Sequence, residues 1–150
     1  MDLHKIIATG LGIGFIRKGS GTVAAALCAI VWYLMSAGSN DPKVALLVTL
    51  VITAIGVWSA GRVEKYWGVD NNRVVIDEIA GMCISLVFVP VSIVTVVTAF
   101  VLFRFFDIAK PAYIRKAENL PGGWGVMADD VLAGIYTNII LQVAVRTSIL

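Results

Sequence analysis

Charge is scarce in this sequence. Only 15% of its 150 residues are charged, while 59% are hydrophobic. Ordinary globular chains carry about 25% charged and roughly 45–50% apolar residues. A small soluble domain has too much surface to cover with so few polar groups, and the mean hydropathy of +0.88 places the chain in the membrane class. Cysteine is also sparse. Cys28 and Cys83 both lie in apolar runs and read as buried free thiols. With no CxxC and no Cys/His cluster, zinc and dithiol redox sites are excluded. Leu34 and Val89 stand six residues beyond the two cysteines, so neither heads a Cys-x5-Arg phosphatase loop. Leu27 before Cys28 argues against a lipoprotein anchor, and no A-x-A cleavage site occurs at Ser36–Ser39. His4 is the sole histidine and reads as a surface residue. No Arg-Pro dipeptide occurs, which removes the Lys-x6-Arg-Pro pattern of membrane diphosphatases. Asp-x-Asp-x-Thr and the long acidic signature of lipid alcohol phosphotransferases are missing too. The net charge of +2 comes from dispersed basic residues without an aromatic-interleaved stripe, so nucleic acid is not an expected partner.

What the chain has in abundance is long apolar runs. Thr22–Gly38, Val44–Gly61, Ile79–Phe103 and Val131–Val145 are free of charge over 17, 18, 25 and 15 residues. A membrane helix takes about 20 such residues. The 25-residue run has two readings. As one helix it would span a bilayer. Pro90 near its middle instead suggests a hairpin of Asp77–Val89 and Ser92–Lys110, because proline removes a backbone donor and clashes with the preceding turn. Basic residues favour cytoplasmic loops. With a cytoplasmic N-terminus, the hairpin puts ten Lys/Arg inside and two outside, whereas a single span gives seven against five. The hairpin is therefore preferred. It returns both ends of the run to the cytoplasmic face, and any irregular backbone at its tip needs cover from protein. The expected fold is all-α. It is a polytopic membrane bundle of about five helices with a central hairpin and glycine-rich loops on the cytoplasmic face. One domain covers residues 1–150, with no repeat or linker.

On that face the topology gathers Asp70, Asp77, Glu78, Asp107, Asp129 and Asp130, mostly within "DEIAG", "RFFDIAKP" and "DDVLAG". Acids at helix N-termini complement the helix dipole, which explains the paired acids without function. Three acidic sites at one membrane face point further, since carboxylates beside hydrocarbon are costly and usually paired or functional. An oxygen-only set suits Mg²⁺. The glycines in "DEIAG" and "DDVLAG" permit close helix approach. Arg104, Asp107 and Lys110 are spaced as successive neighbours on a helix surface. In "ATGLGIGFIRKGSGTVAAAL", Arg17 and Lys18 precede Gly19-Ser20-Gly21-Thr22, where Ser20 or Thr22 can cap the first long helix. Such a start with adjacent cations can hold an anion, or its glycines serve close packing and a turn. It is neither a Walker loop nor a GxGxxG fingerprint. In "PGGWGVMADD" the glycines read as a tight turn that delivers Asp129 and Asp130, with Trp124 as an interfacial anchor. Phosphate chemistry on a lipid is the common denominator.

The blocks "ATGLGIG…GSGTVAAAL", "DNNRVVIDEIAGM", "FVLFRFFDIAKPAYIR" and "GGWGVMADDVLAG" resemble, in order and spacing, the phosphatidylglycerophosphatase A family, from Ala8 to about Gly134. Two positions depart from the family pattern. Ser20 stands where proline often precedes Gly-Thr, and Ala112 where an aromatic often follows Lys-Pro. Neither removes a charge; both bear on lipid fit. The resemblance implies a Mg²⁺-dependent phosphatase of a phospholipid substrate, phosphatidylglycerophosphate, in the bacterial inner membrane. It would be multi-pass with its active site facing the cytoplasm. Asp77, Glu78, Asp107, Asp129 and Asp130 are the expected metal-binding and catalytic carboxylates. Arg17, Lys18, Gly21, Thr22, Arg104, Lys110 and Arg115 are the expected substrate contacts. Either water or a carboxylate can be the nucleophile. The rival readings are a phosphatase of another lipid phosphate and a non-enzymatic membrane scaffold or transporter.

Overall fold

Each long helix begins or ends where its sequence changes character. The computed structural model describes residues 2–36, 41–68, 71–111 and 113–150. Asp70 and Ala112, singled out above, lie outside the described residues. The described residues hold seven α-helices and no strand: α1 (Leu3–Ala8), α2 (Ser20–Ser36), α3 (Pro42–Trp67), α4 (Ile76–Leu86), α5 (Ile93–Ala109), α6 (Ile114–Ala117) and α7 (Gly123–Arg146), with a single 3₁₀ turn at Ile13–Phe15. Asp41 starts α3 by accepting the Lys43 N–H at 2.9 Å, and Pro42 supplies a preset first position. Ser92 and Thr95 form a reciprocal capping box at the start of α5.

The 25-residue apolar run is divided. Helix α4 stops at Leu86, Phe88 turns to a positive φ of 60°, and α5 begins at Ile93. The break thus precedes Pro90. The single-helix alternative does not hold, and the two ends of the run come back together, with Arg104 Nη1 4.0 Å from Glu78 Oε1. Helix α4 is 11 residues long, about 16 Å at 1.5 Å per residue, roughly half a hydrocarbon core. Asn138 of α7 covers its blunt end. Its Nδ2 reaches the carbonyls of Ile84, Ser85 and Val87 at 3.0, 3.1 and 2.7 Å.

Helix α7 is the centrepiece and packs against α3, α4, α5 and α6. It begins eight residues before the run Val131–Val145. The glycines of "PGGWG" are therefore not all a turn. Gly122, at φ 62°, is the cap, while Gly123 and Gly125 lie inside the first turns. Small residues let α7 sit close to its neighbours. A Cβ on Gly134 would stand 2.5 Å from the Gly81 carbonyl, and one on Gly81 would stand 2.7 Å from the Asp130 carbonyl. Helix α4 is buried on nearly every side between two apolar cores. One joins Ala25, Met82, Leu86, Phe103, Ala133 and Leu141. The other joins Ala8, Ala60, Val63, Ile76, Ala80 and Met127. Outside, α2 and α3 show Leu27, Ile30, Leu34, Leu47, Leu50 and Val51 to the surroundings. By length and composition α3 and α7 can each cross a membrane.

Candidate active site

Four chain segments bring their polar residues to one end of the bundle: the start of α2, the start of α4, the end of α5 and the second turn of α7. Together they line a cavity of about 490 Å³ that contains Arg17, Lys18, Gly21, Asp77, Glu78, Arg104, Asp107, Lys110, Asp129 and Asp130. Thr22 and Arg115 do not line it; both side chains are exposed, Thr22 on α2 and Arg115 on the short α6.

Asp77 and Glu78 occupy the first turn of α4, where the helix dipole favours them. That account does not extend to Asp129 and Asp130. They lie inside α7, about 9 Å along it from Gly123, and are 7% and 3% exposed. Single oxygens of Asp77, Glu78 and Asp130 lie within 4.8 Å of one another. Asp107 and Asp129 are held differently. Asp107 forms an ion pair with Arg104, one helical turn away. Asp129 Oδ2 accepts a hydrogen bond from Lys110 Nζ at 2.7 Å. The expected Asp107–Lys110 neighbourhood is not what forms. Lys110 ends α5 in a left-handed conformation, φ 44°, just before Pro111, and so leaves the helix surface to bind Asp129 and Glu118. Burial pulls the Lys110 ammonium down, but the hydrogen bonds and charges of Asp129 and Glu118 outweigh it and hold its pKa above the usual lysine value.

Gly21 is needed here for lack of a side chain. A Cβ at that position would stand 1.7 Å from Glu78 Oε1, so the carboxylate lies directly against the first turn of α2. Ser20 does not cap α2 as the sequence suggests. Its Oγ donates across to the Asn72 carbonyl at 3.0 Å. The lone histidine is not a free surface group either, since His4 stacks on Tyr66 with ring centroids 5.8 Å apart. Cys28 and Cys83 are free thiols with sulfurs 3.5 Å apart.

Chemically the cavity is an oxygen-rich nest with a cationic rim. Glu78 Oε2, Asp129 Oδ1, Asp130 Oδ1 and Arg104 Nε are buried without a hydrogen-bond partner. Unpaired polar atoms at that depth are expensive. Five carboxylates line the cavity with four cations, of which Arg17 and Lys18 are exposed and Arg104 and Lys110 half-buried. The oxygen-only donor set fits a hard divalent cation such as Mg²⁺. The free guanidinium nitrogen fits a phosphate oxygen. Sequence reasoning missed Asn138 and the tie from Ser20 to Asn72. An asparagine inside an apolar run was a readable sign of an interhelical hydrogen bond; the Ser20 tie left none, because it spans 52 residues.

A family model described as phosphatidylglycerophosphatase A matches residues 6–145. A Bacteroides thetaiotaomicron protein, provisionally named phosphatidylinositol-3-phosphatase, is 44% identical over 149 residues, which covers 95% of this chain and 93% of that protein. A Haemophilus influenzae protein named phosphatidylglycerophosphatase A is 35% identical over 139 residues, 91% of this chain and 85% of its own. The Escherichia coli protein of the same name is 35% identical over 133 residues, 87% of this chain and 76% of its own. No solved structure matches the chain at a significant level.

Proposed function

The chain belongs to the phosphatidylglycerophosphatase A family, and from that membership we propose that it hydrolyses the terminal phosphate of phosphatidylglycerophosphate to give phosphatidylglycerol and phosphate. The observation that supports this most is that the residues lining one polar cavity include Glu78, Asp129, Asp130 and Arg104, each with a buried polar atom that has no hydrogen-bond partner. We place the protein in the bacterial inner membrane, multi-pass, with this cavity at the cytoplasmic surface. The two helices long enough to cross among the described residues and the apolar exterior of α2 and α3 support that placement.

Asp77, Glu78 and Asp130 would hold Mg²⁺, which when bound neutralises phosphoryl oxygens and acidifies water. The remaining residues position and balance charge, which is most of what phosphoryl transfer requires. Arg104, steadied by Asp107, would meet a phosphoryl oxygen with its guanidinium, whose Nε has no partner within the protein. Lys110 fixes Asp129 through Oδ2 and leaves Oδ1 without a hydrogen-bond partner. We assign that oxygen to take the proton of the attacking water. Arg17 and Lys18 at the mouth meet the incoming phosphate. Attack by water breaks the P–O bond to the glycerol, and the departing alkoxide takes a proton to leave as the alcohol.

A second reading follows from the 44% identical relative, whose name assigns it a phosphoinositide. The chemistry is the same, hydrolysis of a phosphate monoester on a lipid alcohol. One assay separates the two: phosphate release by purified protein in detergent from phosphatidylglycerophosphate, phosphatidylinositol-3-phosphate and phosphatidate, with Mg²⁺ or with EDTA. Release from the first alone, and only with Mg²⁺, is expected. Preference for the inositide would favour the second reading, and release from none would overturn both.

A further inference from the structure

The mouth of the cavity is assembled from two segments distant in sequence, Arg17–Gly21 and Asn71–Asn72. The second is fixed from several sides. Asn71 Nδ2 donates to the Trp67 carbonyl at 3.0 Å, and the Val75 N–H donates to the Ala8 carbonyl at 2.9 Å. The Arg73 guanidinium lies over the Trp67 and Phe15 rings, 5.6 and 6.0 Å from their centroids. The first segment is held much less. Arg17 and Lys18 are exposed, and the turn ends in Gly19 at φ +72° with open space where a Cβ would sit. Ser20 joins the two. It is 8% exposed, and its hydroxyl reaches the Asn72 carbonyl at 3.0 Å instead of capping its own helix.

We propose that Ser20 is a positioning residue for phosphate recognition. Its tie to Asn72 holds the Arg17–Lys18 turn against the rigid rim, so both cations are in place before the ligand arrives. Ordering long cationic side chains in advance lowers the cost of binding. The tie therefore acts on substrate affinity more than on the chemical step. The inference rests on the functional reading above in taking a phosphate monoester as the ligand.

The test uses full-length protein in detergent micelles under limited trypsin digestion, with cleavage after Arg17 and Lys18 read by mass spectrometry and inorganic phosphate as the probe. In the parent, phosphate slows cleavage at these two bonds. Ser20→Ala is expected to be cut there several-fold faster and to need several-fold more phosphate for half-protection. Ser20→Thr, which keeps the hydroxyl, restores both, and cleavage after Lys116 is the same in all three. With phosphatidylglycerophosphate as substrate, KM rises several-fold in Ser20→Ala and exceeds any loss in kcat. The proposal is overturned if Ser20→Ala digests and is protected like the parent, if Ser20→Thr behaves like Ser20→Ala, if phosphate protects none of them, or if KM does not rise in an active protein. A parent inactive on every lipid phosphate that still shows Ser20-dependent protection refutes the lipid reading and leaves the tie standing.

Discussion

Gly21 and Glu78 compete for one volume, and that contact makes two tests possible. In Gly21→Ala the new methyl would sit 1.7 Å from Glu78 Oε1, so the carboxylate must leave its position beside Asp77 and Asp130. Phosphate release is expected to fall by at least about 10²-fold, the scale of losing one preorganised charge-stabilising group. The same substitution in a Glu78→Ala background should cost almost nothing in thermal stability, because the clash is gone. Equal destabilisation in both backgrounds would show that the glycine matters for some other reason. Asp130→Asn tests the carboxylates themselves. Five acids line one cavity, only Arg104 and Lys110 of its four cations are half-buried, and Asp130 Oδ1 has no partner. Neutralising one acid relieves like-charge repulsion when metal is stripped. In EDTA the variant should melt above the parent; with Mg²⁺ the order should reverse and phosphate release should vanish. A variant that melts lower than the parent in EDTA would refute the repulsion argument. The acids could be read from the sequence because they sit in three compact blocks, and the Arg104–Asp107 pair because helical spacing encodes it. The partnership of Lys110 with Asp129 could not be read. It depends on the left-handed backbone at Lys110 and on an α7 that starts earlier than its apolar run.

Helix α4 is an element whose stability is borrowed. Eleven residues are too few to be stable alone, and its last carbonyls point into an apolar bundle. Asn138 supplies their donors, and Gln142 Nε2 in turn donates to Asn138 Oδ1 at 2.8 Å. Asn138→Leu fills similar volume but leaves those carbonyls unmet, an expected loss of about 1–3 kcal/mol per group left unsatisfied. Denaturation of the purified protein in mixed micelles measures it. A variant as stable as the parent would mean that water or lipid headgroups already serve this end. Pro90 announced that the apolar run breaks, since proline cannot continue a helix, but not that α4 ends four residues earlier at Leu86. That position is set by Asn138, a contact across more than 50 residues. The glycines of "PGGWG" misled for a related reason. Glycine is a turn residue by propensity, yet Gly123 is helical because packing demands it: a Cβ there would stand 2.0 Å from the Val57 carbonyl.

At the scale of the whole molecule, every polar segment of the cavity lies at one end of the bundle, and the basic residues follow. Arg17, Lys18, Arg104 and Lys110 line that cavity. Lys43, at the start of α3, lies 24 residues along that helix from Trp67, which precedes the Asn71–Asn72 rim, about 36 Å along the axis at 1.5 Å per residue. If the apolar exterior of α2 and α3 faces lipid, one end of the bundle meets the cytoplasm and the other the far side. Charge partition had indicated the return of the chain between α4 and α5 before any helix was placed, because counting basic residues needs no side-chain geometry. The consequence is an accessibility pattern. Single cysteines from Asn72→Cys and Lys116→Cys, in a Cys28→Ala/Cys83→Ala background, should react with an impermeant maleimide only when the cytoplasmic face is open, and Lys43→Cys only from the opposite face. Asn72 and Lys116 lie before and after the α4–α5 pair, so their common side reports directly on the return of the chain. Labelling of these two from opposite faces would place Glu78 and Arg104 across a membrane from each other, and neither the cavity nor the hydrolysis assigned to it could survive that result.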